Sequence, residues 1–500
     1  MSPAQPTILE AMADPALFGR VFAGESWSPW RVFLAALFGL PLDTEQQETY
    51  RHHTGRQEPR AAGQAREGWL VVGRRGGKSL IAALVATYLA FFRDYSGVLG
   101  PGERVTVMVI AADRRQARVV FRYIAGLIDS VPMLERLVES RAKEALHLSN
   151  RVTIEVHTAN FRAVRGYAIA AAICDEIAFW PTDDSANPDK EILVGLRPGM
   201  ATIPGALLLC ISSPYARRGA LWEAYREHYG QENDPVLVWQ SESRRMNPTL
   251  DECTIAQAYA EDPVVASAEY GAEFRRDIES FLVREAVEAA VMPDRRELPP
   301  VEGVHYVAFC DPSGGSQDSM TLGIAHLDGA KAVLDVVRER RPPFSPDEVV
   351  GEFSALLKSY GVHTVSGDRY AGEWPRERFA AHGTLYEPSV KTKSDLYAEL
   401  LPLVNSGRVE LLDHRRLLAQ LARLERRTAR GGRSSIDHPP GSHDDLANAV
   451  AGAVFLCACV ADAPARASFS LGIVEEQDSE DLFQRALRGE PLTSEEIDRL

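Results

Sequence analysis

The sequence contains no Cys-x-x-Cys pair: its six cysteines stand apart at 174, 210, 253, 310, 457 and 459 in a chain of 500 residues. A disulfide frame or a thiolate zinc site is not expected, and a reducing cytosol is the default setting. No apolar run reaches the ~20 residues a membrane helix needs. The nearest, residues 447–461, is short and rich in alanine. The start, Met1-Ser-Pro-Ala-Gln-Pro6, has neither the basic residues nor the apolar stretch of a secretory signal. Internal repeats and low-complexity tracts are missing too. Positive charge is not in excess: 55 Lys and Arg face 70 Asp and Glu, a net charge of −15. That excludes a protein that coats nucleic acid through overall charge, but not one with a local basic groove.

What is present, 45% hydrophobic and 25% charged residues, matches a soluble globular chain. At about 150 residues per domain the length suggests about three units, or two large ones with appendages. The clearest boundary is the proline-rich polar stretch from Met292 to Gly303. Residues 1–66 form an N-terminal helical region packing on a first domain, 67–290; a linker, 291–303, leads to a second domain, 304–461. The tail, 462–500, is acidic; a solvated segment is the plain reading and partner docking the second.

Apolar runs at Trp69–Val72, Val105–Ile110, Ala168–Cys174 and Ala206–Ile211 read as buried strands. Amphipathic helical stretches separate several of them, the pattern of a mainly parallel sheet covered on both faces. Downstream the order is strand candidates Tyr306–Cys310, Thr321–His326 and Ala332–Val337, a helix at Pro346–Tyr360 and a strand at His363–Ser366.

The segment Trp69-Leu-Val-Val-Gly-Arg-Arg-Gly-Gly-Lys78-Ser79 is a strand, a glycine turn and a Gly-Lys-Ser opening a helix. Glycines such as Gly76 and Gly77 let backbone N–H groups curl around a phosphate at a helix N-terminus. Lys78 would reach the outer phosphates of ATP, and the Ser79 hydroxyl would bind Mg²⁺. The usual first glycine falls at Val72, with Gly73 one step late; a strained turn without a ligand would account for the loop alone. A second strand ends in Asp175-Glu176. Downstream of such a loop the first acid holds Mg²⁺ through water and the second polarises the attacking water. A third strand ends in Ser212-Ser213-Pro214, hydroxyls placed either to sense the γ-phosphate or simply to turn the chain. Arg162, Arg165, Arg217 and Arg218 are candidates for a finger in trans or for DNA contacts, against a plain reading as surface arginines. Trp27 and Trp30 suit core packing better than an adenine platform.

In the second half Asp311 and Asp368 end strands, and Asp444 and Asp445 open the apolar helix Leu446–Val460. Each alone reads as a turn aspartate or helix cap. Together they follow the order of an RNase H-like sheet, whose first and fourth strands lie side by side. Clustered oxygen ligands suit two Mg²⁺ or Mn²⁺ ions and phosphodiester cleavage. His443 reads as a surface histidine or a proton carrier. Arg415, Arg416, Arg423, Arg426, Arg427, Arg430 and Arg433, with Lys391 and Lys393, read as a phosphate-tracking groove.

On these motifs, with Arg74 four residues before Lys78 and Asn247-Pro248 before the domain junction, the chain resembles the large terminase subunit of tailed bacteriophages over about residues 10–460. The resemblance implies an N-terminal P-loop (ASCE-type) ATPase joined to a C-terminal RNase H-like nuclease, both α/β. It implies a motor that moves double-stranded DNA into a prohead and cuts concatemers. Lys78 and Ser79 would bind ATP and Mg²⁺, with Glu176 as general base, and Asp311, Asp368 and one of Asp444 or Asp445 would hold the nuclease metals. The implied partners are duplex DNA, a portal protein, a small terminase subunit and further copies in a ring on the prohead, with no membrane. The implied location is the bacterial host cytoplasm, transiently at the portal and not in the mature virion. Two alternatives stay open: a cellular helicase-nuclease or repair ATPase, and a non-catalytic, nucleotide-regulated DNA-binding scaffold.

Overall fold

The computed structural model describes residues 5–60, 63–160, 164–180, 188–316, 318–369, 373–428, 434–439, 442–462 and 485. Arg162, Arg430, Arg433 and nearly all of the acidic tail lie outside the described residues. The chain divides into two compact units, one from Met1–Thr182 with Asn187–Ile278 and the other from Glu279 onward.

The first unit is built on eight strands: β1 (Glu67–Val72), β2 (Val105–Ala111), β3 (Val138–Arg141), β4 (Ala145–Leu148), β5 (Val152–Thr158), β6 (Ala168–Asp175), β7 (Leu207–Ser212) and β8 (Val236–Ser241). Their order is β3-β4-β5-β2-β6-β7-β1-β8. The six strands from β5 to β8 pair in parallel, and β4 and β3 close one edge antiparallel. All seven residues of β2 are buried, as an unbroken apolar run predicts for a strand covered on both faces. Leu70, Val72, Val107 and Val109 face the helix Lys78–Phe91 on one side. Trp69, Val71, Met108 and Ile110 pack with Ile192, Leu196 and Leu221 on the other. β7 stands between the loop-bearing β1 and the acid-bearing β6, the ASCE-type arrangement. That insertion puts the end of β7 between the two acids and the glycine loop.

The second unit starts before the proline-rich stretch. Phe281, Leu282, Val287 and Ala290 lie in one core with Leu417 and Leu421, so the segment 279–290 belongs to this unit and not to the first. Residues 291–303 are likewise not a free linker: Val291 and Met292 form a strand, and Leu298 N–H donates to the Asp335 carbonyl at 2.9 Å.

Its strands are β9 (Ile278–Ser280), β10 (Val291–Met292), β11 (Tyr306–Asp311), β12 (Met320–Asp328), β13 (Lys331–Arg340), β14 (Thr364–Gly367), β15 (Leu385–Pro388), β16 (Val409–Leu412), β17 (Glu425–Thr428) and β18 (Ser434–Asp437). The main sheet runs β10-β16-β13-β12-β11-β14-β15. β11, β12 and β13 are antiparallel in turn, and β11, β14 and β15 are parallel. This is the RNase H-like order, extended at one edge by β16 and β10.

The helix Asp445–Asp462 lies flat against β11 and β12 because its contact face is small. A Cβ at Gly323 would come within 2.9 Å of the Ala449 carbonyl oxygen, and one at Gly452 within 2.5 Å of the Phe309 ring. Filling either gap would force the helix off the sheet, at about 1–3 kcal/mol or more. Among the described residues no helix is long and apolar enough to cross a membrane, and all six cysteines are free.

Candidate functional site

The glycine loop of the first unit joins β1 to the helix Lys78–Phe91. Val72, where the usual first glycine would fall, is fully buried in the strand. Gly73 takes over the need for a bare backbone: a Cβ there would strike the Ser243 hydroxyl and lie 2.6 Å from the Tyr270 carbonyl oxygen. Gly77 has φ +100 and Arg75 φ +62, so the turn passes through the left-handed region twice. Trp30 is buried and its Nε1–H donates to the Gly76 carbonyl at 2.9 Å, so it is core that also props the loop. Trp27 sits beside Gly77 and edge-on to Phe22.

Lys78 is buried and folds back on its own loop, donating to the carbonyls of Val72 at 2.7 Å and Gly73 at 3.1 Å. Its Nζ is 3.7 Å from Glu176 Oε1. Burial pushes the ammonium down from its usual range, and the Glu176 and Asp175 carboxylates oppose that shift. Burial pushes the Asp175 carboxyl up to about 7, with Glu176 adding to the rise and Lys78 opposing it. Asp175 Oδ1 is a buried oxygen with no hydrogen-bond partner, which suits a carboxylate that takes a cation's water shell.

Glu176 has φ +47 and ψ 48, a conformation a glutamate adopts only when its surroundings hold it. What holds it is the end of β7. Ser212 Oγ–H and Ser213 N–H each donate to Glu176 Oε2 at 3.0 Å. The Ser212-Ser213 pair therefore grips the glutamate in this structure rather than standing open for a phosphate. Ser79 is half-buried at the start of the helix. Arg74 is exposed and ion-paired with Glu269, an acid without a local motif around it. Arg217 lies over the Trp222 ring at 5.3 Å, a packing role.

In the second unit the parallel pairing of β11 with β14 sets Asp311 beside Asp368, and Asp368 N–H donates to the Cys310 carbonyl at 3.3 Å. One amide joins the two side chains: Asn448 Nδ2–H donates to Asp311 Oδ2 at 2.9 Å and to Asp368 Oδ2 at 2.8 Å. Asn448 stands one turn into the helix Asp445–Asp462 and was not singled out from the sequence. An amide in an otherwise Ala/Val helix face was the available signal. Burial pushes the Asp311 carboxyl well above the usual range; the Asn448 bond opposes this, and Asp368, Asp445 and Asp444 add to it. Asp368 is raised by burial, opposed by Asn448 and by Lys393.

Asp444 and Asp445 differ sharply. Asp444 is buried, with Lys393 Nζ 3.1 Å from its Oδ2 and the Tyr397 hydroxyl donating to the same oxygen at 2.8 Å. Asp445 is anchored by its backbone, its carbonyl accepting from Thr321 Oγ1 at 2.7 Å. Its Oδ2 is buried without a hydrogen-bond partner, as is Asn448 Oδ1. Burial and then Asp444 raise the Asp445 carboxyl to about 6. Two orphaned oxygens beside two raised carboxyls fit an oxygen-ligated divalent cation. Among the described residues the one trio whose ligand atoms all lie within 4.8 Å is Asp437, His438 and Asp444, not Asp311, Asp368 and Asp445. Lys393 lies against that trio, 2.9 Å from Asp437 Oδ1, and already supplies its positive charge. His443 is exposed, 3.5 Å from Asp318.

Among the described residues of the basic stretch only Arg416 is buried; Arg423, Arg426, Arg427, Lys391 and Lys393 are half-buried, several with partners of their own. Arg416 is buried and 3.3 Å from Glu339, Arg427 pairs with Glu425, and Arg426 lies over the Phe281 ring. Arg423 donates to Ser442 Oγ at 3.2 Å, and Lys391 pairs with Glu399. Arg415 is exposed. Spacing along a chain does not show which of these basic side chains are engaged by neighbouring acids and which face outward.

No protein-family model matches the chain, and no curated relative matches it by sequence. It is similar to the solved large terminase of bacteriophage HK97, at 16% identity and a TM-score of 0.37 over 85% of this chain and 99% of that one. It is also similar to the large terminase of a thermophilic bacteriophage, at 11% identity and a TM-score of 0.36 over 78% of this chain and 94% of that one. The third likeness is to the large terminase nuclease of thermophilic phage G20c, at 20% identity and a TM-score of 0.31 over 34% of this chain and 94% of that one. All three scores lie below 0.5.

Proposed function

We propose that this chain is the motor and nuclease subunit of a viral DNA-packaging machine. ATP hydrolysis in the first unit drives duplex DNA into a prohead, and the second unit cuts concatemeric DNA. The observation that carries the reading is the pairing of two sites in one chain: Lys78 facing Glu176 at the glycine loop, and Asp311 joined to Asp368 through Asn448. The partners that follow are duplex DNA, a portal protein, a small terminase subunit and further copies of the chain in a ring.

In the ATPase the N–H groups around Gly76 and Gly77 cradle phosphate, and Lys78 leaves the Val72 and Gly73 carbonyls to meet it. Ser79 and Asp175 would hold Mg²⁺, and Glu176 orients and deprotonates the attacking water. Ser212 and Ser213 hold Glu176 by one carboxylate oxygen while the other faces Lys78. In the nuclease Asp311, Asp368 and Asp445 would hold the divalent ions, which when bound supply an activated water and charge for the leaving oxygen. Asn448 keeps the first two carboxyls together, and Lys393 with Tyr397 fixes Asp444 as a support.

The raised carboxyls give this metal site a pH signature. Asp311, Asp368 and Asp445 lie above their ordinary range in the fold, so the metal-free fold binds protons more tightly than the unfolded chain. Their stabilising contribution is present at low pH and lost as the pH rises through the raised values, about 6 for Asp445. A divalent cation offsets the loss by neutralising the ionised group. Scanning calorimetry should show Mn²⁺ raising the Tm of the nuclease unit strongly at about pH 8 and little at about pH 5. Equal shifts at both values would contradict it.

Translocation is tested by triplex displacement. The chain, assembled on its portal, should eject a labelled third strand from duplex DNA in the presence of ATP without separating a forked duplex. Strand separation would favour the helicase-nuclease, and neither activity would favour the scaffold.

A further inference from the structure

The first half of the glycine loop is clamped by a segment far along the chain. Gly73 N–H donates to the Ser241 carbonyl at 3.2 Å, Ser243 Oγ–H to the Arg74 carbonyl at 2.7 Å, and Asn247 Nδ2–H to the Arg75 carbonyl at 2.9 Å. Arg74 N–H donates to the Glu269 carbonyl at 2.5 Å, and Ser243 N–H to the Tyr270 carbonyl at 2.8 Å. The backbone of the loop thus has little freedom, while the Arg74 side chain keeps its own. Its guanidinium is turned onto the carboxylate of Glu269, at the C-terminal end of the helix Pro263–Glu269.

Glu269 belongs electrostatically to the nucleotide site. Burial raises its carboxyl, Arg74 and Lys78 draw it down, and Glu176 pushes it up. The ion pair with Arg74 is half-exposed on the arginine side, where such pairs are weakly held in water. A guanidinium prefers the planar, bidentate fit of a phosphate when one is offered.

We propose that Glu269 is the resident counter-ion of Arg74, displaced by the phosphates of an incoming nucleoside triphosphate. Glu269 acts as a positioning residue. It holds Arg74 off the phosphate site while the site is empty, and it sets how tightly nucleotide binds. The inference rests on the ATP reading of the loop.

The test is equilibrium binding of a fluorescent ATP analogue with Mg²⁺, alongside steady-state ATP hydrolysis, on the full chain. Glu269→Gln keeps the shape and removes the charge. It should tighten Kd and lower KM by roughly three- to tenfold with kcat little changed. In an Arg74→Ala background the same substitution should have no further effect, because the competition has been removed. Glu252→Gln, an exposed acid on the neighbouring helix that pairs with Arg244, serves as the control for general charge. An unchanged Kd in Glu269→Gln, or an equal tightening with and without Arg74, would overturn the proposal while leaving the ATP site intact. A folded wild type that binds the analogue no better than Lys78→Ala does would remove the ATP reading itself, and the proposal with it.

Discussion

Glu176→Gln is expected to cut ATP turnover by roughly 10²- to 10⁴-fold while nucleotide still binds. The amide cannot accept the water's proton, but it keeps the size of the side chain and can still take the Ser212 and Ser213 bonds on its oxygen. Lys78, proposed to bind the phosphates, is untouched apart from losing a carboxylate 3.7 Å away. Single-turnover hydrolysis with a separate measurement of binding divides the two effects. A variant that hydrolyses ATP at the wild-type rate would show that Glu176 is a structural acid held by β7 and not the base. The left-handed backbone at Glu176 sharpens this expectation, since strain of that kind is kept where the surroundings over-determine it.

Much of the architecture was legible because the strands are buried on both faces. A run such as Val105–Ile110 has no polar alternation to confuse it, and β2 covers it with one residue more. The paired acids at the end of β6 and the acid ending β11 could be read for the same reason: they stand where an apolar run stops. The edge hairpin of β3 and β4 was not legible, because Val138–Arg141 is short and largely exposed and carries no apolar signal.

The partners that complete each site were hidden for a different reason. Ser243 and Glu269 meet the glycine loop from about 170–195 residues away in sequence, and Asn247, noted in the sequence only as a motif before the domain junction, holds the Arg75 carbonyl, contacts that no spacing rule records. Lys393 and Tyr397, one turn apart on the helix Lys393–Asn405, both engage Asp444 and so distinguish it from Asp445, which looks equivalent as a letter. In the arginine-rich stretch a charge count is blind to the acids folded against it, such as Glu339 and Glu425.

The second large effect is expected at the nuclease. Asp311 and Asp368 converge on one Asn448 amide, and their carboxyls are held above the ordinary range by burial, with Asp368 adding to the rise of Asp311 and Asp444 to that of Asp368. A site of this kind needs a cation to ionise fully, and replacing Asp311 by Asn removes both a ligand and part of the negative field that draws the cation in. Asp445→Asn should be as damaging, since its free Oδ2 is the oxygen left for a cation. Asp444→Asn should act mainly on stability, because that carboxylate is the acceptor for Lys393 and Tyr397 and its loss leaves the ammonium facing Asp437 alone.

The measurement that bears most directly on the account is cleavage of supercoiled plasmid with Mn²⁺ or Mg²⁺ by the wild type, Asp311→Asn, Asp445→Asn, Asp444→Asn and Glu176→Gln. Metal-dependent nicking and linearisation are expected of the wild type and Glu176→Gln, none of Asp311→Asn or Asp445→Asn, and residual cutting of Asp444→Asn in proportion to its folded fraction. Undiminished cleavage by Asp311→Asn would contradict it.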